Sequence, residues 1–369
     1  MAEKTVSTES FAVEKKSSYT GKKLRVAFIG CGGIAGAHIA ALKKFPDVEI
    51  VAGVDIDPAR LKAMEEQHGV TQTFKDWNKM LREVQPDAVD ICTPNGVHAQ
   101  PAIDAAKAGA HVIVEKPMAM NPKECQKMID TAKKSGVKLA VGFQYRYHPS
   151  TQYLVRSRDA GEFGDVMFVK CQALRRRGIP NWGVFGRKEL QGGGPMIDIG
   201  VHVIEMAHFV MGSPKPISAS GSAWTYMGNK PSKVQSQWPN WDHKTYTVED
   251  LAIGQIRFDN GALLQIEAMF AGHIEKDVWN FNLVGTKGGC NWDPPSVYTD
   301  RNDTMINEQP AFAPPADFGT LFSLKLRNWV DAILKGTPLL APGEAGLAVQ
   351  KMLDGVYRAS EAKKEVAIT

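Results

Sequence analysis

The chain has 369 residues, more than one compact core usually serves, so two domains of roughly 120 to 220 residues are expected. Apolar residues make up 43% and charged residues 23%, a balance that excludes a disordered or fibrous protein. The formal net charge is only +4 and the basic residues are dispersed, apart from Arg175-Arg176-Arg177, which argues against a nucleic-acid partner.

Residues 1–22 are polar, lack an apolar signal core, and read as a flexible leader or an arm that packs on a neighbouring subunit. From residue 24 the pattern alternates strand and helix: strand 24–30, helix 35–44, strand 48–55, then helix 58–69 opened by Asp57 as N-cap with Pro58 at its first position. A buried run at 87–93, helix 98–108, strand 111–115, helix 122–135 and strand 138–143 continue the series. Such alternation implies a mostly parallel sheet covered by helices on both faces, assigned to residues 23–143. In residues 144–369 longer strands predominate, at 166–173, 217–224, 251–258, 262–271 and 278–284, with a hairpin turn at Asp259-Asn260-Gly261. The expected architecture is an α/β Rossmann domain followed by an α+β domain on a largely antiparallel open sheet. Helices at 321–334 and 344–362 close the chain and are candidates to pack back on the first domain. Residues 226–247 show no period and read as a functional or disordered loop.

Five cysteines, Cys31, Cys92, Cys125, Cys171 and Cys290, form no Cys-x-x-Cys pair. Neither a disulfide framework nor a zinc knuckle is expected, and a reducing, cytoplasmic setting fits. No stretch approaches the ~20 apolar residues of a membrane span, so no membrane partner is expected.

Gly30-x-Gly32-x-x-Ala35 lies where the first strand passes into its helix. There, glycines allow a tight turn and let backbone N–H groups, with those of Gly33 and Ile34, approach a pyrophosphate at the helix N-terminus. An ordinary strand-to-helix turn would also tolerate this pattern. Asp55 decides between the two, because it ends the second strand 20 positions after Ala35, where a carboxylate accepts both ribose hydroxyls. Ile56 follows it, so a 2′-phosphate would face an unneutralised acid; NAD is expected, with Arg60 the nearest feature favouring NADP.

Thr93-Pro94-Asn95 with His98, and Glu115-Lys116-Pro117, both follow strands at the sheet edge where open α/β sheets bind ligands. Together with Gly142-Phe143-Gln144-Tyr145-Arg146-Tyr147 and Gly193-Gly194-x-x-x-Asp198-x-Gly200-x-His202, they make the chain resemble the Gfo/Idh/MocA oxidoreductases from about Leu24 to its end. That resemblance implies oxidation of a hydroxyl on a sugar, inositol or related polyol, in a homo-oligomer. It implies catalytic roles for Lys116, Asp198 and His202, and a cofactor groove that includes Thr93, Pro94, Asn95, His98, Glu115, Lys116 and Gln144.

The residue types suit that chemistry independently. A neutral imidazole takes up a hydroxyl proton near neutrality, and an ammonium donates to the reacting oxygen. Asp198, four residues before His202, would share its helix face and orient it or a sugar hydroxyl. Taken singly, a lysine is usually a solvated charge, a histidine often satisfies a core hydrogen bond, and Asp198 would serve as a helix cap. His202, Glu205 and His208 do not follow His-Glu-x-x-His, so no metal is expected.

For the substrate, Tyr145 and Trp182 offer faces to a pyranose, and Arg146 and Arg176 offer donors to its hydroxyls. The segment 176–202 most resembles glycoside 3-dehydrogenases, whose product is a 3-keto glycoside. Two alternatives remain: an NAD-dependent glycosidase that recycles its cofactor internally, and a non-catalytic sensor of dinucleotide and sugar.

Overall fold

The computed structural model describes residues 22–369, so the expectation for 1–22 lies outside the described residues except at Lys22. In the first half, β1 (Leu24–Ile29), α1 (Gly33–Leu42), β2 (Val48–Val54), α2 (Pro58–His68), β3 (Thr73–Phe74), α3 (Trp77–Val84), β4 (Ala88–Ile91), α4 (Ala99–Lys107), β5 (His111–Val114), α5 (Pro122–Ser135) and β6 (Leu139–Val141) succeed one another. The strands order as β3-β2-β1-β4-β5-β6 with every pair parallel. This is the doubly wound arrangement, and its switch point lies between β1 and β4, where a crevice opens beyond the strand ends. The Asp57 carboxylate accepts from the Ala59 N–H at 2.9 Å and caps α2 as expected. The short β3, whose two residues carry no period, was not foreseen, and neither was α3, although Asp76 caps it and Met80, Leu81 and Val84 form its buried stripe.

The second half contains α6 (Pro149–Asp159), β7 (Val166–Leu174), α7 (Lys188–Gln191), α8 (Val201–Val210), β8 (Pro216–Trp224), β9 (Leu251–Phe258), β10 (Leu263–Met269), β11 (Val278–Gly285), β12 (Gly288–Asn291), β13 (Ser296–Arg301), β14 (Thr304–Glu308), α9 (Phe318–Leu334), α10 (Gly343–Ala362) and β15 (Val366–Ala367). Its nine strands order as β14-β13-β12-β11-β7-β10-β9-β8-β15. All pairs are antiparallel except β7 with β10, which run parallel at the centre. The Asn260-Gly261 hairpin joins β9 to β10 as expected, with Gly261 at φ +86°.

One face of this sheet packs against α8, and Val169, Cys171 and Ala173 alternate onto it from β7. The last two long helices return to the first domain: α9 lies on α1, and α10 crosses α5 and β8. Phe322, Leu326, Trp329 and Val330 of α9 share a core with Val26, Phe28, Ile39 and Leu42. The start of the segment 226–247 is tied down by Asp250, whose carboxylate accepts from the backbone N–H groups of Tyr226, Met227 and Gly228 at 2.5–3.0 Å. Among the described residues all five cysteines are free thiols, and no helix is long and apolar enough to cross a membrane.

Candidate active site

At the end of β1, Gly30 has φ +88°, and a Cβ there would stand 2.6 Å from the Cys92 carbonyl carbon. Only glycine fits a turn this close to the neighbouring strand end. Gly32 begins α1 without a side-chain cap, and Gly33 faces open space, so the first N–H groups of the helix are left for an anion. Asp55 is held directly over this turn: its carboxylate accepts from the N–H groups of Cys31 and Asp57, both at 2.9 Å, and lies 3.4 Å from Arg60 Nη1. Ile34 and Ile56 are exposed at the rim. Two buried polar atoms along the same crevice, Thr93 Oγ1 and Gln144 Oε1, have no hydrogen-bond partner among the described residues. A groove with a bare helix N-terminus, a fixed ribose acceptor and unsatisfied polar atoms fits a dinucleotide.

Lys116 follows β5 and reaches into the second domain. Its ammonium donates to the Asp198 carbonyl at 2.9 Å and to the Asp198 carboxylate at 3.1 Å. Asp198 sits in a π-helical turn, Met196–Gly200, that runs into α8 through helical backbone at Gly200 and Val201, and this wider turn changes the angle between Asp198 and His202 from that of a regular α-helix. The other carboxylate oxygen of Asp198 is 4.0 Å from Arg175, whose guanidinium covers the Trp238 ring at 4.9 Å.

His202 is buried, and its ring meets Tyr145 edge-on at 5.1 Å and Trp279 at 5.8 Å. Among the described residues neither ring nitrogen forms a hydrogen bond. Burial first, then the nearby Lys116 charge, hold its pKa well below the usual imidazole value, so the ring is a neutral acceptor at physiological pH. Burial pushes the Tyr145 phenol up to about 12, which keeps it protonated.

Other expected residues stand elsewhere. Arg146 was expected to contact sugar; its guanidinium is instead enclosed, paired with Glu205 and bonded to the Leu340 carbonyl, and so fastens the Gln144–Tyr147 turn to α8. Both ring nitrogens of His98 stand 2.8 Å from backbone carbonyls, those of Pro117 and Thr93; burial holds its pKa down, so the neutral ring donates its single N–H to one of them while it sits wedged between the two loops. The Asn95 amide donates to the Gln191 carbonyl at 2.9 Å. Glu115 turns away from the groove into the interior. Arg176 lies exposed against the Glu275 carbonyl, and Trp182, 49% exposed, stands 4.8 Å from Trp238.

Sequence reasoning passed over Arg175 and Trp279. The signal was present: Arg175 has the parity of the inward-facing Val169, Cys171 and Ala173, and Trp279 that of Phe281 and Leu283.

Comparison with known proteins agrees with this geometry. Residues 24–143 match the oxidoreductase family with an NAD-binding Rossmann fold, and residues 159–368 match that family's C-terminal alpha/beta domain. The chain is 36% identical to D-glucoside 3-dehydrogenase of Escherichia coli over 96% of its own length and 100% of the relative's. It is 28% identical to levoglucosan dehydrogenase of Pseudarthrobacter phenanthrenivorans over 72% of the chain and 73% of that protein. Among solved structures, an oxidoreductase domain protein from Kribbella flavida superposes with a TM-score of 0.83 at 25% identity, covering 95% of this chain and 100% of that one.

Proposed function

We infer, because the chain belongs to the Gfo/Idh/MocA oxidoreductase family, that it is an NAD-dependent dehydrogenase of sugars, and we propose the C3 hydroxyl of a glucoside as the group oxidised. One observation carries the reading: a buried, neutral, hydrogen-bond-free imidazole stands in the same groove as a lysine held by Asp198. When bound, NAD supplies the hydride acceptor. Gly30, Gly32 and Gly33 with the α1 N-terminus hold its phosphates, Asp55 its ribose, and Thr93 and Gln144 the part nearest the second domain.

In this reading His202 accepts the hydroxyl proton, because its nitrogens lack competing partners and its ring is neutral. Lys116 donates a hydrogen bond to the reacting oxygen, and Asp198 aims it. Tyr145, Trp279 and Trp182 offer ring faces to the sugar or its substituent, and Arg176 reaches hydroxyls only if it leaves the Glu275 carbonyl. The free thiols support a reducing, cytoplasmic setting. The open sheet face, on which Ile253, Val284 and Tyr298 are exposed, supports a homo-oligomer.

Purified protein incubated with NAD and a panel of methyl and aryl glucosides is expected to give NADH and a 3-keto product. Failure to form that product from any of them overturns the C3 assignment. Free sugar released without net NADH would identify a glycosidase instead.

A further inference from the structure

Beneath the cofactor groove lies a second group of ionisable side chains, and none of them faces a ligand. Lys325, on α9, is 1% exposed in its side chain and enters the first domain's interior. Its ammonium stands 2.5 Å from Glu115 Oε1 and 2.9 Å from His38 Nε2. His38 Nε2 is also 3.1 Å from Glu115, and His38 Nδ1 is 2.8 Å from Asp90. Cys92 completes the group, with its thiol 3.3 Å from Asp90.

Each member belongs to a segment that shapes the groove. His38 is on α1, whose first turn receives the phosphates, and Asp90 is two residues before Cys92, against which Gly30 turns. Glu115 is the neighbour of Lys116, and Lys325 comes from 210 residues further along the chain than Glu115. Gly142 has no room for a side chain, because a Cβ there would collide with the Glu115 carboxylate.

His38, Asp90 and Cys92 bring three metal-type ligand atoms within 4.8 Å of one another, but both nitrogens of His38 are already engaged, and the ammonium supplies the positive charge. Two carboxylates buried together would be strongly destabilising if left unpaired. With His38 protonated, its Nδ1–H donates to Asp90, its Nε2–H and the Lys325 ammonium both donate to Glu115, and two cations and two anions cancel.

We propose that Lys325 is a positioning residue of the dehydrogenase site: its ammonium holds Glu115, and through Glu115 it holds His38 and Asp90 in one neutral buried quartet, which fixes Lys116 and the dinucleotide-binding loops. The catalytic part of the proposal rests on the function proposed above; the part concerning NADH binding does not.

Both directions of titration support it. Burial, and after it the Lys325 charge, oppose charge on His38, yet Asp90 and the hydrogen bonds to Asp90 and Glu115 outweigh both and raise its pKa. Burial would likewise raise Glu115, but Lys325 and His38 hold it well below the ordinary value. The charged groups acting on His202 are Lys116, Glu115, Lys325 and Arg175, so Glu115 and Lys325 act on it in opposite senses. Asp198 holds Lys116, and Tyr145, which packs on the ring, stays protonated.

The test compares Lys325→Met, Glu115→Gln and the double variant with wild type, reading NADH binding by fluorescence and the pH profile of kcat/KM. Lys325→Met is expected to weaken NADH binding about tenfold and to move the acidic limb, set by His202, upward by roughly 0.5 to 1 pH unit. Glu115→Gln is expected to move it downward, and the double variant to return it toward wild type. A merely structural lysine would lower the melting temperature without these opposed shifts, and that result overturns the proposal. If Lys325→Met does not fold, Lys325→Arg and Glu115→Gln carry the same comparison: unchanged NADH binding and an unmoved limb in both overturn it. If wild type binds NADH but oxidises no sugar, the proposed function fails while the binding comparison still tests the quartet.

Discussion

Glu115 and Lys116 are adjacent, yet they belong to two regions with the same residue types and opposite properties. On one side of the strand end, Glu115 joins Lys325, His38 and Asp90 where water is excluded and every group has a partner. On the other, Lys116 joins Asp198 and His202, whose imidazole has none. The two histidines are accordingly pushed in opposite directions, His38 upward by its carboxylates and His202 downward by burial and Lys116. Lysine, carboxylate and imidazole therefore do not define a catalytic site; the unsatisfied valence does.

This contrast is sharpened first by Lys116→Met. It is expected to lower kcat by about 10³-fold while leaving the melting temperature within a few degrees of wild type; a large fall in thermal stability would erase the distinction between the regions. Asp90→Ala should do the reverse, costing about 3 kcal/mol of stability in denaturant titration, because it leaves His38 and Lys325 buried with one anion too few.

His202→Asn is expected to reduce kcat/KM about 100-fold and to remove the acidic limb of its pH profile. The sign follows from the lowered pKa. In the proposed mechanism the neutral ring is the active form, so wild-type activity is expected to stay level through neutrality and to fall only as pH drops below the usual imidazole range near ~6.5. A limb above that range would contradict the buried, uncharged assignment. Asp55→Ala should weaken NADH binding about tenfold by removing a charged ribose acceptor, measured by fluorescence titration. The smallest effect, roughly threefold on kcat/KM, is expected for Trp182→Ala with aryl glucosides and not with methyl glucoside.

Much of the first domain was legible because its signals are local. A glycine turn, an acid at the next strand's end and a capped Asp57-Pro58 helix each sit within a few residues of the feature they make. Lys116 and His202 were legible as motif members that the structure brings to one groove, whereas motif membership did not say that the Arg146 guanidinium would turn to Glu205 or that His98 would face two backbone carbonyls. Lys325 was hidden by a pairing that spans 210 residues, though it stands with Leu321, Phe322 and Trp329 on the buried stripe of α9. The strands β12 to β14 escaped because they are short, and several of their residues face solvent.

The return of α9 to α1 also bears on how the protein is made. The apolar face of Phe28, Ile39 and Leu42 and the acids Asp90 and Glu115 emerge early in synthesis, but the helix that covers and neutralises them lies at Phe318–Leu334. The dinucleotide-binding half therefore has an incomplete interior until nearly the whole chain has left the ribosome. A fragment ending at residue 143 is expected to expose apolar surface to dye, and adding α9 in trans to reduce that signal, so that the domain translated first is completed last.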